Sequence, residues 1–485
     1  MPAGLRFVFE PFELDTARRR LTASGEPAPV SDRQLDILLM LVARAGQIVS
    51  KDELLQAAWK DVAVGDNSLE QAISSLRRVL GARADGAAYI ETVPRRGYRF
   101  GVPVTPVASR ESDAGLDALL APHRAFVEGR ALLETLEADR VRRARAVFED
   151  AVRSAPDLAS ARIGLANAFV MQFEMTRADP VPDAAAIAAA VLHAREACRL
   201  DARSGEAWAT LGFVLDRVGE HVDAQAAAKR AVTLEPDNWR HHFRLSSVSW
   251  GEDRLRAAHQ TLAQLPGFPL AHWLAATVYV ARQAPAEALR ELAAGLAAHA
   301  DEVSRAGRFS AVALHWLRGL ILLADGDEAG AIAEFERELA GESAGQLYAR
   351  ECASNTWYAI GALKLRQGRR EEARDAFAHA LARIAAHPMA QIGLAAATAQ
   401  HSRASAETPI DDPPAHAAAD GAMAHAARLA LAGDHAAAGR AVADMLASAP
   451  PGNAAWLAPV DPLLHVTANP AAWTLALARL RNRAA

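Results

Sequence analysis

The first hundred residues begin with stretches in which apolar and polar positions alternate, and continue with apolar positions at helical spacing. The stretches LRFVF, PFELD and RRLTA alternate and are separated by turn residues, which is typical of a small antiparallel sheet. Helix starts follow at Ser31, Ser50 and Asn67, each with Gln or Glu three residues later in the capping-box pattern. The pattern therefore predicts a small sheet followed by three helices.

The third of these helices, predicted from Asn67 to Leu80, is amphipathic. Its apolar stripe consists of Leu69, Ala72, Ile73, Leu76 and Leu80. The rest of its surface suits DNA, because Arg can bond guanine at two atoms, Gln can bond adenine at two atoms, and Ser reaches bases or phosphates. The candidate DNA contacts on this helix are Asn67, Ser68, Gln71, Ser74, Ser75, Arg77 and Arg78. An ordinary solvated helix face carries the same residue types, so the helix alone leaves both interpretations open.

A predicted two-stranded ribbon follows the third helix and has arginine at its turn. The segments YIETV and GYRF flank PRRG, in which Gly97 permits a tight turn. Arg95, Arg96 and Arg99 are candidates for contacts with phosphates or the minor groove. The alternative is a solvated edge hairpin. The combination of a helix with base-reading side chains and an arginine-rich ribbon favours DNA binding more strongly than either feature does alone.

The distribution of charge agrees with a local DNA-binding surface. The whole chain has a net charge of −5 at pH 7. Residues through Val104 carry 14 Lys and Arg against 13 Asp and Glu, whereas the remainder carries 39 against 45. Six arginines lie between Arg77 and Arg99, against two acidic residues. A positive patch of this kind on a weakly acidic chain is the electrostatic pattern expected of a nucleic-acid-binding domain.

The stretches VSKDELLQAAW, NSLEQAISSLRRVLG and YIETVPRRGYRF carry a resemblance to a known family. Residues 5–104 resemble the winged-helix DNA-binding domain of the OmpR/PhoB type of response regulator. The resemblance implies a four-stranded N-terminal sheet, three helices and a hairpin wing, with Asn67 to Leu80 as the recognition helix. It also implies that the loop WKDVAVGD touches RNA polymerase, with Lys60 and Asp61 as candidates.

The domain order differs from that of the phosphorelay proteins to which the family belongs. No receiver domain precedes the winged helix and no membrane span follows it, so we expect a one-component regulator without phospho-aspartate switching. The start of the chain also lacks the apolar core of a signal peptide. We therefore expect a cytoplasmic protein that does not contact the membrane.

The remainder of the chain has the pattern of paired helices with a period of about 34 residues. One copy of the pattern consists of Trp208, Leu211, Gly212, Leu215, Ala224, Ala228, Ala231 and Pro236. A second consists of Trp357, Ile360, Gly361, Ala373, Phe377 and Ala380. These positions resemble the tetratricopeptide repeat, which implies an all-α superhelix. Loop-like insertions are predicted at 175–184 and 401–420.

We accordingly expect a mainly α protein, with an α+β winged helix-turn-helix at its N-terminus. The predicted boundaries are 1–105 for the winged helix, 106–120 for a linker, 121–450 for the repeat α-solenoid and 451–485 for a C-terminal segment with a capping helix. The two cysteines, Cys198 and Cys352, lack the spacing of a disulfide or zinc motif and are expected to be small buried residues. The sequence shows no catalytic motif, so we expect no enzyme activity, no metal and no cofactor.

The sequence thus predicts a transcriptional regulator that binds double-stranded DNA in a sequence-specific manner. Its repeats would bind a protein or peptide partner, or support self-association as a homo-oligomer. The alternative is a cytoplasmic scaffold whose winged helix does not act in transcription. The two differ in whether binding depends on salt and on the arginines of the ribbon.

Overall fold

The computed structural model describes residues 6–16, 19–59, 66–83, 86–107, 113–303, 311–342, 346–399 and 415–485. A small α+β domain comes first, and a long array of helices follows. This arrangement confirms the predicted fold class, a winged helix followed by an all-α repeat array.

The N-terminal domain begins with four strands, β1 (Arg6–Phe9), β2 (Phe12–Asp15), β3 (Arg20–Ala23) and β4 (Glu26–Pro27). A later strand, β8 (Thr105–Val107), pairs with β1, which gives an antiparallel sheet in the order β4-β3-β2-β1-β8. The sheet therefore has five strands and not the four that the family resemblance implied. Pro106 lies in β8, at the edge of the sheet, where a missing backbone N–H is tolerated.

Three helices follow the first four strands, α1 (Asp32–Ala43), α2 (Lys51–Ala58) and α3 (Asp66–Leu80). Ser31 forms the predicted capping box with Gln34, and Ser50 forms the predicted capping box with Glu53. In each pair, the side chain of either residue accepts a hydrogen bond from the backbone N–H of the other. Helix α3 begins one residue before the predicted start. The predicted order of helices is thus confirmed, and two of the three helix starts are fixed by the residues that the sequence indicated.

A second sheet holds the hairpin against the helices. Strand β6 (Ile90–Val93) pairs with β7 (Gly97–Phe100), and β7 pairs with the short strand β5 (Ile48–Val49) between α1 and α2. Gly97 has a φ of +127°, and a Cβ at this position would lie 2.1 Å from the carbonyl oxygen of Val49. Glycine is therefore required here both by the backbone conformation and by the close approach of β5.

The rest of the chain is helical. Its helices are α4 (Asp113–Glu134), α5 (Ala138–Ser154), α6 (Ala159–Thr176), α7 (Ala184–Leu200), α8 (Gly205–Arg217), α9 (His221–Leu234), α10 (Trp239–Val248), α11 (Gly251–Gln264), α12 (Pro269–Ala281), α13 (Pro285–Val303), α14 (Leu314–Asp325), α15 (Glu328–Ala340), α16 (Ala349–Arg366), α17 (Arg370–Arg383), α18 (Pro388–Thr398), α19 (Ala415–Leu431), α20 (His435–Ser448) and α21 (Pro470–Ala484). Strand β8 and helix α4 both include residues of the segment 106–120 that was predicted as a linker.

Small residues allow the helices of a pair to approach closely. A Cβ on Gly212 of α8 would lie 2.8 Å from the carbonyl oxygen of Ala224 in α9. Gly361 of α16 leaves room for the buried ring of Phe377 in α17, and Gly319 does the same for Phe335. The residues that carry the repeat pattern in the sequence are thus the residues at which paired helices touch.

The predicted insertions are only partly visible. Residues 177–183 form a loop between α6 and α7, within the predicted insertion at 175–184. Most of the predicted insertion at 401–420 lies outside the described residues, and its last residues belong to α19. Residues 451–469 contain one 3-10 turn, at Ala458–Val460, before α21 begins.

The last helix, α21, packs against its neighbour α20 and against two earlier helices of the array. Helix α21 also contacts α11 and α12, near the middle of the array. Arg282 Nε donates a hydrogen bond of 2.7 Å to the carbonyl oxygen of Ala484, and the amide of Glu252 donates to Ala485. Tertiary contacts therefore join the C-terminal helix to repeats about 200 residues earlier in the chain.

Cys198 and Cys352 are free and buried, as the sequence predicted. Burial raises the pKa of Cys198 to about 12, which keeps the thiol protonated and unreactive at neutral pH. Among the described residues, no helix is both long enough and apolar enough to cross a membrane.

Candidate nucleic-acid interface

Helix α3 divides its side chains between the core and the surface. Leu69, Ile73, Leu76 and Leu80 are buried in the core of the N-terminal domain, as the apolar stripe predicted. Gln71, Ser74 and Arg78 are exposed, and their spacing of three and four residues places them along one face of the helix. Three of the candidate base-reading side chains therefore form one exposed row.

The other candidates on α3 differ in their surroundings. Ser68 and Ser75 are half-buried at the margins of the row. The side chain of Asn67 lies outside the described residues, as do Lys60 and Asp61 of the loop between α2 and α3.

Arg77 is bound within the domain. Its Nε donates a hydrogen bond of 2.9 Å to the carbonyl oxygen of Ile90, and one terminal nitrogen donates to Thr92 Oγ1 at 2.7 Å. Its guanidinium also lies over the ring of Tyr98, 6.0 Å from the centroid. Since Ile90 and Thr92 belong to β6 and Tyr98 to β7, Arg77 connects α3 to the hairpin.

The tip of the hairpin carries two arginines that have no side-chain partner in the described parts of the chain. Arg95 and Arg96 are exposed, and neither side chain makes a hydrogen bond or ion pair with any residue in the described parts of the chain. The amide of Arg96 closes the turn by donating to the carbonyl oxygen of Val93. The same holds for Arg78 on α3, whose side chain has no such partner within the described ranges. The guanidinium groups of these arginines therefore keep their donors available for an anionic ligand.

Arg99 lies on the hairpin but is paired. It faces Glu91 across the β6–β7 ladder, and its guanidinium donates to Glu91 Oε2 at 2.9 and 2.6 Å. Both side chains are partly exposed, so the pair is weak and can rearrange when a phosphate approaches.

Two further ion pairs support the helices behind this surface. Lys51 of α2 contacts Glu70 of α3 at 2.9 Å. Arg44 donates to Glu53, and hydrogen bonds from Arg44 and Ser50 lower the pKa of Glu53 to about 2. The carboxylate of Glu53 thus stays ionised at neutral pH, where it caps α2 and also binds the end of α1.

The repeat array holds the N-terminal domain at a different surface, formed by the β2–β3 turn, the start of α1 and the end of α2. Arg33 of α1 donates to Asn238 Oδ1 at 2.9 Å, just before α10. The apolar core of the domain continues into the repeats through Trp239, Leu265, Phe268 and Ala271. None of the exposed side chains Gln71, Ser74, Arg78, Arg95 and Arg96 hydrogen-bonds to the described repeats.

Buried charges reinforce this contact. The side chain of Arg19 is only 6% exposed and lies 2.8 Å from Asp36 and 2.7 Å from His123 of α4. Burial opposes the charge of Arg19, but Asp36 and Asp32 outweigh it and raise the Arg19 pKa. No signal in the sequence indicated these roles, since Arg19 and Arg33 resemble ordinary surface arginines until the repeats are placed against them.

The described residues contain no cluster of His, Cys, Asp and Glu that could hold a metal ion. The exposed side chains of Gln71, Ser74, Arg78, Arg95 and Arg96 provide hydrogen-bond donors and three positive charges on this surface. The surface can therefore bind an anionic, hydrogen-bonding ligand, and its chemistry suits DNA.

Comparison with known proteins agrees with this surface. Residues 25–100 match the model of the family described as "Transcriptional regulatory protein, C terminal". The chain is 37% identical over 103 residues to the transcriptional regulator HilA of Salmonella typhimurium (strain LT2), which covers 21% of this chain and 18% of HilA. It is 33% identical over 95 residues to the transcriptional activator CadC of Escherichia coli (strain K12), which covers 19% of each protein.

The N-terminal domain is thus similar in sequence to one segment of each of these transcriptional regulators. The chain spans about a fifth of the length of both relatives, with 18% of HilA and 19% of CadC covered. Among solved structures, a thermophilic TPR protein of Thermus thermophilus is 18% identical with a TM-score of 0.32, covering 42% of this chain and 99% of that chain.

Proposed function

We propose that the protein is a sequence-specific DNA-binding transcriptional regulator. The observation that carries the proposal is the exposed row Gln71, Ser74 and Arg78 together with Arg95 and Arg96, which have no side-chain partner among the described residues. The row inserts into the major groove and reads base edges, while the tip of the hairpin contacts the phosphate backbone. Ser68 and Ser75 lie along the margins of the same surface. Asn67 belongs to the proposal through its position in the sequence at the start of α3.

We propose different roles for Arg77 and Arg99, which are both bound within the domain. Arg77 positions the hairpin relative to α3, because its donors are directed at β6. Arg99 contacts a phosphate only after it leaves Glu91. A contact of Lys60 and Asp61 with RNA polymerase belongs to the proposal on the strength of the family resemblance.

The repeat array is proposed to receive the signal, by binding a protein or peptide partner or a second copy of the chain. The contact through Arg33 and Trp239 supports this division, because it joins the array to the DNA-binding domain away from the proposed DNA surface. A change in the array can therefore reposition the domain without covering α3.

The test begins with selection of bound fragments from the source genome by the full-length protein, which returns the operator. Changing both Arg95 and Arg96 to Ala should weaken binding to the operator and to unrelated DNA alike. The slope of log affinity against log salt should fall by about one unit for each lost phosphate contact. Gln71→Ala or Arg78→Ala should instead cost roughly 1 to 3 kcal/mol at particular base pairs.

Glu13→Ala on β2 is the matched control, because it changes a charge in the same domain at a distance in sequence from α3 and the hairpin. If the four substitutions leave affinity, salt slope and base preference at the values of the control, the winged helix does not read DNA and the scaffold alternative replaces this proposal.

A further inference from the structure

Residues 346–348, which lie between α15 and α16, contact the first repeats of the array. Gln346 forms an antiparallel bridge with Glu137, in the connection between α4 and α5. The amide of Leu347 donates a hydrogen bond of 2.6 Å to the carbonyl oxygen of Leu136. We call residues 346–348 the strap. It binds through its backbone to a part of the chain about 210 residues earlier, which is the way an extended peptide binds to an exposed backbone edge.

The side chains of the strap fill an apolar surface of these repeats. Leu347 is buried and belongs to an apolar cluster whose other buried members come from α5 to α10. Every other member of this apolar cluster lies between Leu133 and Val248, apart from Tyr348 beside Leu347. The strap therefore contributes to the core of the first repeats although it comes from a distant part of the sequence.

Tyr348 adds a specific polar contact. Its hydroxyl donates a hydrogen bond of 2.9 Å to Glu174 Oε2 at the end of α6, and Arg177 lies over its ring at 5.5 Å. Glu174 is only 2% exposed and is also bound by Arg217 at 2.6 Å. Burial opposes its ionisation, yet Arg217 and Arg177 keep the pKa of Glu174 below its usual value. Glu174 is thus a buried, ionised carboxylate that accepts the hydrogen bond of the Tyr348 hydroxyl.

Two charged residues that follow the strap, Arg350 and Glu351, extend the contact. Arg350 donates to the carbonyl oxygen of Met175 at 3.1 Å and lies 2.7 Å from Asp179. Glu351 binds the guanidinium of Arg177. The receiving surface therefore offers an apolar pocket, a carboxylate for a tyrosine, and charges of both signs in a fixed order.

We propose that the strap is an internal ligand of a peptide-binding groove, and that the groove's external ligand is an extended peptide segment with a large apolar residue followed by tyrosine. The proposal rests on the proposed function, because it identifies the kind of partner that the repeats receive. The external peptide replaces Leu347 and Tyr348 and takes over their hydrogen bonds to Leu136 and Glu174. Release of the strap separates the first repeats from α16 and loosens the array.

The test measures binding of a fluorescent peptide with the sequence QLYARE, residues 346–351, to the full-length chain by anisotropy. In the unchanged protein the tethered strap competes at an effective concentration in the millimolar range, so binding should be weak. The double variant Leu347→Ala, Tyr348→Ala empties the groove and should bind the peptide at least tenfold more tightly. A peptide with alanine at both positions should bind neither protein.

Leu192→Ala is the matched control, because Leu192 is an exposed leucine on α7 and its removal should leave peptide affinity unchanged. Tyr348→Phe serves as a milder second variant that keeps the aromatic ring. It removes only the hydrogen bond to Glu174, and peptide affinity should rise by roughly threefold to tenfold. Circular dichroism of each variant checks that the helices remain.

The proposal is overturned if the double variant keeps its helical signal and binds the peptide no better than the unchanged protein. It is equally overturned if the unchanged protein and Leu192→Ala bind as tightly as the double variant. If the double variant loses its helical signal, an unaltered peptide affinity in Tyr348→Phe overturns it. Operator binding is measured on the same samples, so a failure of DNA recognition is seen separately from a failure of the groove.

Discussion

On the surface formed by α3 and the hairpin, Arg78, Arg95 and Arg96 are exposed and have no partner among the described residues. In the repeat array, Arg217, Arg244 and Arg254 are surrounded by other groups. Arg217 binds Glu174, and Arg244 donates to Asn167 at 3.0 Å. Arg254 donates to the backbone carbonyl oxygens of Ser246 in α10 and of Ser249 just after it. The same type of side chain is therefore left exposed in one region and is held by fixed acceptors in the other.

The difference between the exposed and the buried arginines follows from the groups that each guanidinium already contacts in the folded chain. An exposed arginine keeps its donors for a phosphate or a base, and its loss costs the folded state little. A buried arginine has exchanged water for fixed acceptors, so removing it leaves those acceptors without a partner in a dry environment. Two sets of substitutions test this comparison, and a third tests the close packing of the array; they are given from the largest expected effect on stability to the smallest.

Arg254→Ala should have the largest effect. Arg254 is 6% exposed, and burial lowers its pKa to about 10. Its donors bind the carbonyl oxygens of Ser246 and Ser249 and the hydroxyl of Thr277. We expect the free energy of unfolding to fall by about 3 kcal/mol, because several buried acceptors lose their partner together.

Urea unfolding followed by circular dichroism measures this loss. Arg256→Ala, two residues further along α11, is the control, because Arg256 is exposed and pairs only with Asp253 among the described residues. Its effect should stay below about 1 kcal/mol. Equal urea midpoints for the two variants would contradict the distinction between buried and exposed arginines.

Gly212→Ala tests the close approach of paired helices in the array. Its Cβ would lie 2.8 Å from the carbonyl oxygen of Ala224 and 3.1 Å from the amide nitrogen of Ala228, so backbone must move. We expect a loss of roughly 1 to 3 kcal/mol in the free energy of unfolding. Gly421→Ala in α19 meets no atom within 4 Å and should stabilise the helix by up to about 1 kcal/mol. The opposite signs should appear in thermal unfolding, and a gain for Gly212→Ala would show that this approach is not required.

Arg77→Ala and Arg78→Ala compare neighbouring arginines within the DNA-binding domain. Arg77→Ala should lower the stability of this domain by about 1 kcal/mol and weaken binding to all DNA sequences, because the hairpin loses its connection to α3. Arg78→Ala should leave the melting temperature unchanged and alter preference at particular base pairs. Thermal unfolding and binding to a set of operator variants measure both effects. If Arg77→Ala changes only base preference, Arg77 is a base-reading residue and the assignment to positioning is wrong.

The candidate DNA surface was largely predictable from the sequence. The periodicity of Leu69, Ile73 and Leu76 decides which face of α3 is buried, and the row Gln71, Ser74 and Arg78 is then exposed by geometry. The same periodicity does not reveal that Arg77 is bound within the domain whereas Arg78 is exposed. Neighbouring residues on a helix differ in direction by about 100°, so the two side chains point to different surroundings. The acceptor of Arg77 lies on β6, which the periodicity of α3 does not locate. The pairing of Arg99 with Glu91 likewise depends on the strand register.

The sequence by itself determined the elements and their order, because helix caps, apolar periodicity and the small residues of each repeat act over short distances along the chain. The capping boxes at Ser31 and Ser50 and the close packing at Gly212 and Gly361 are of this kind. Only the tertiary structure decided the contacts between distant segments, which are β8 on β1, Arg33 on Asn238, the strap on the first repeats and α21 on α11. Each of these joins residues that no local pattern connects. The last three also depend on how the repeat helices pack together, which places distant parts of the array side by side.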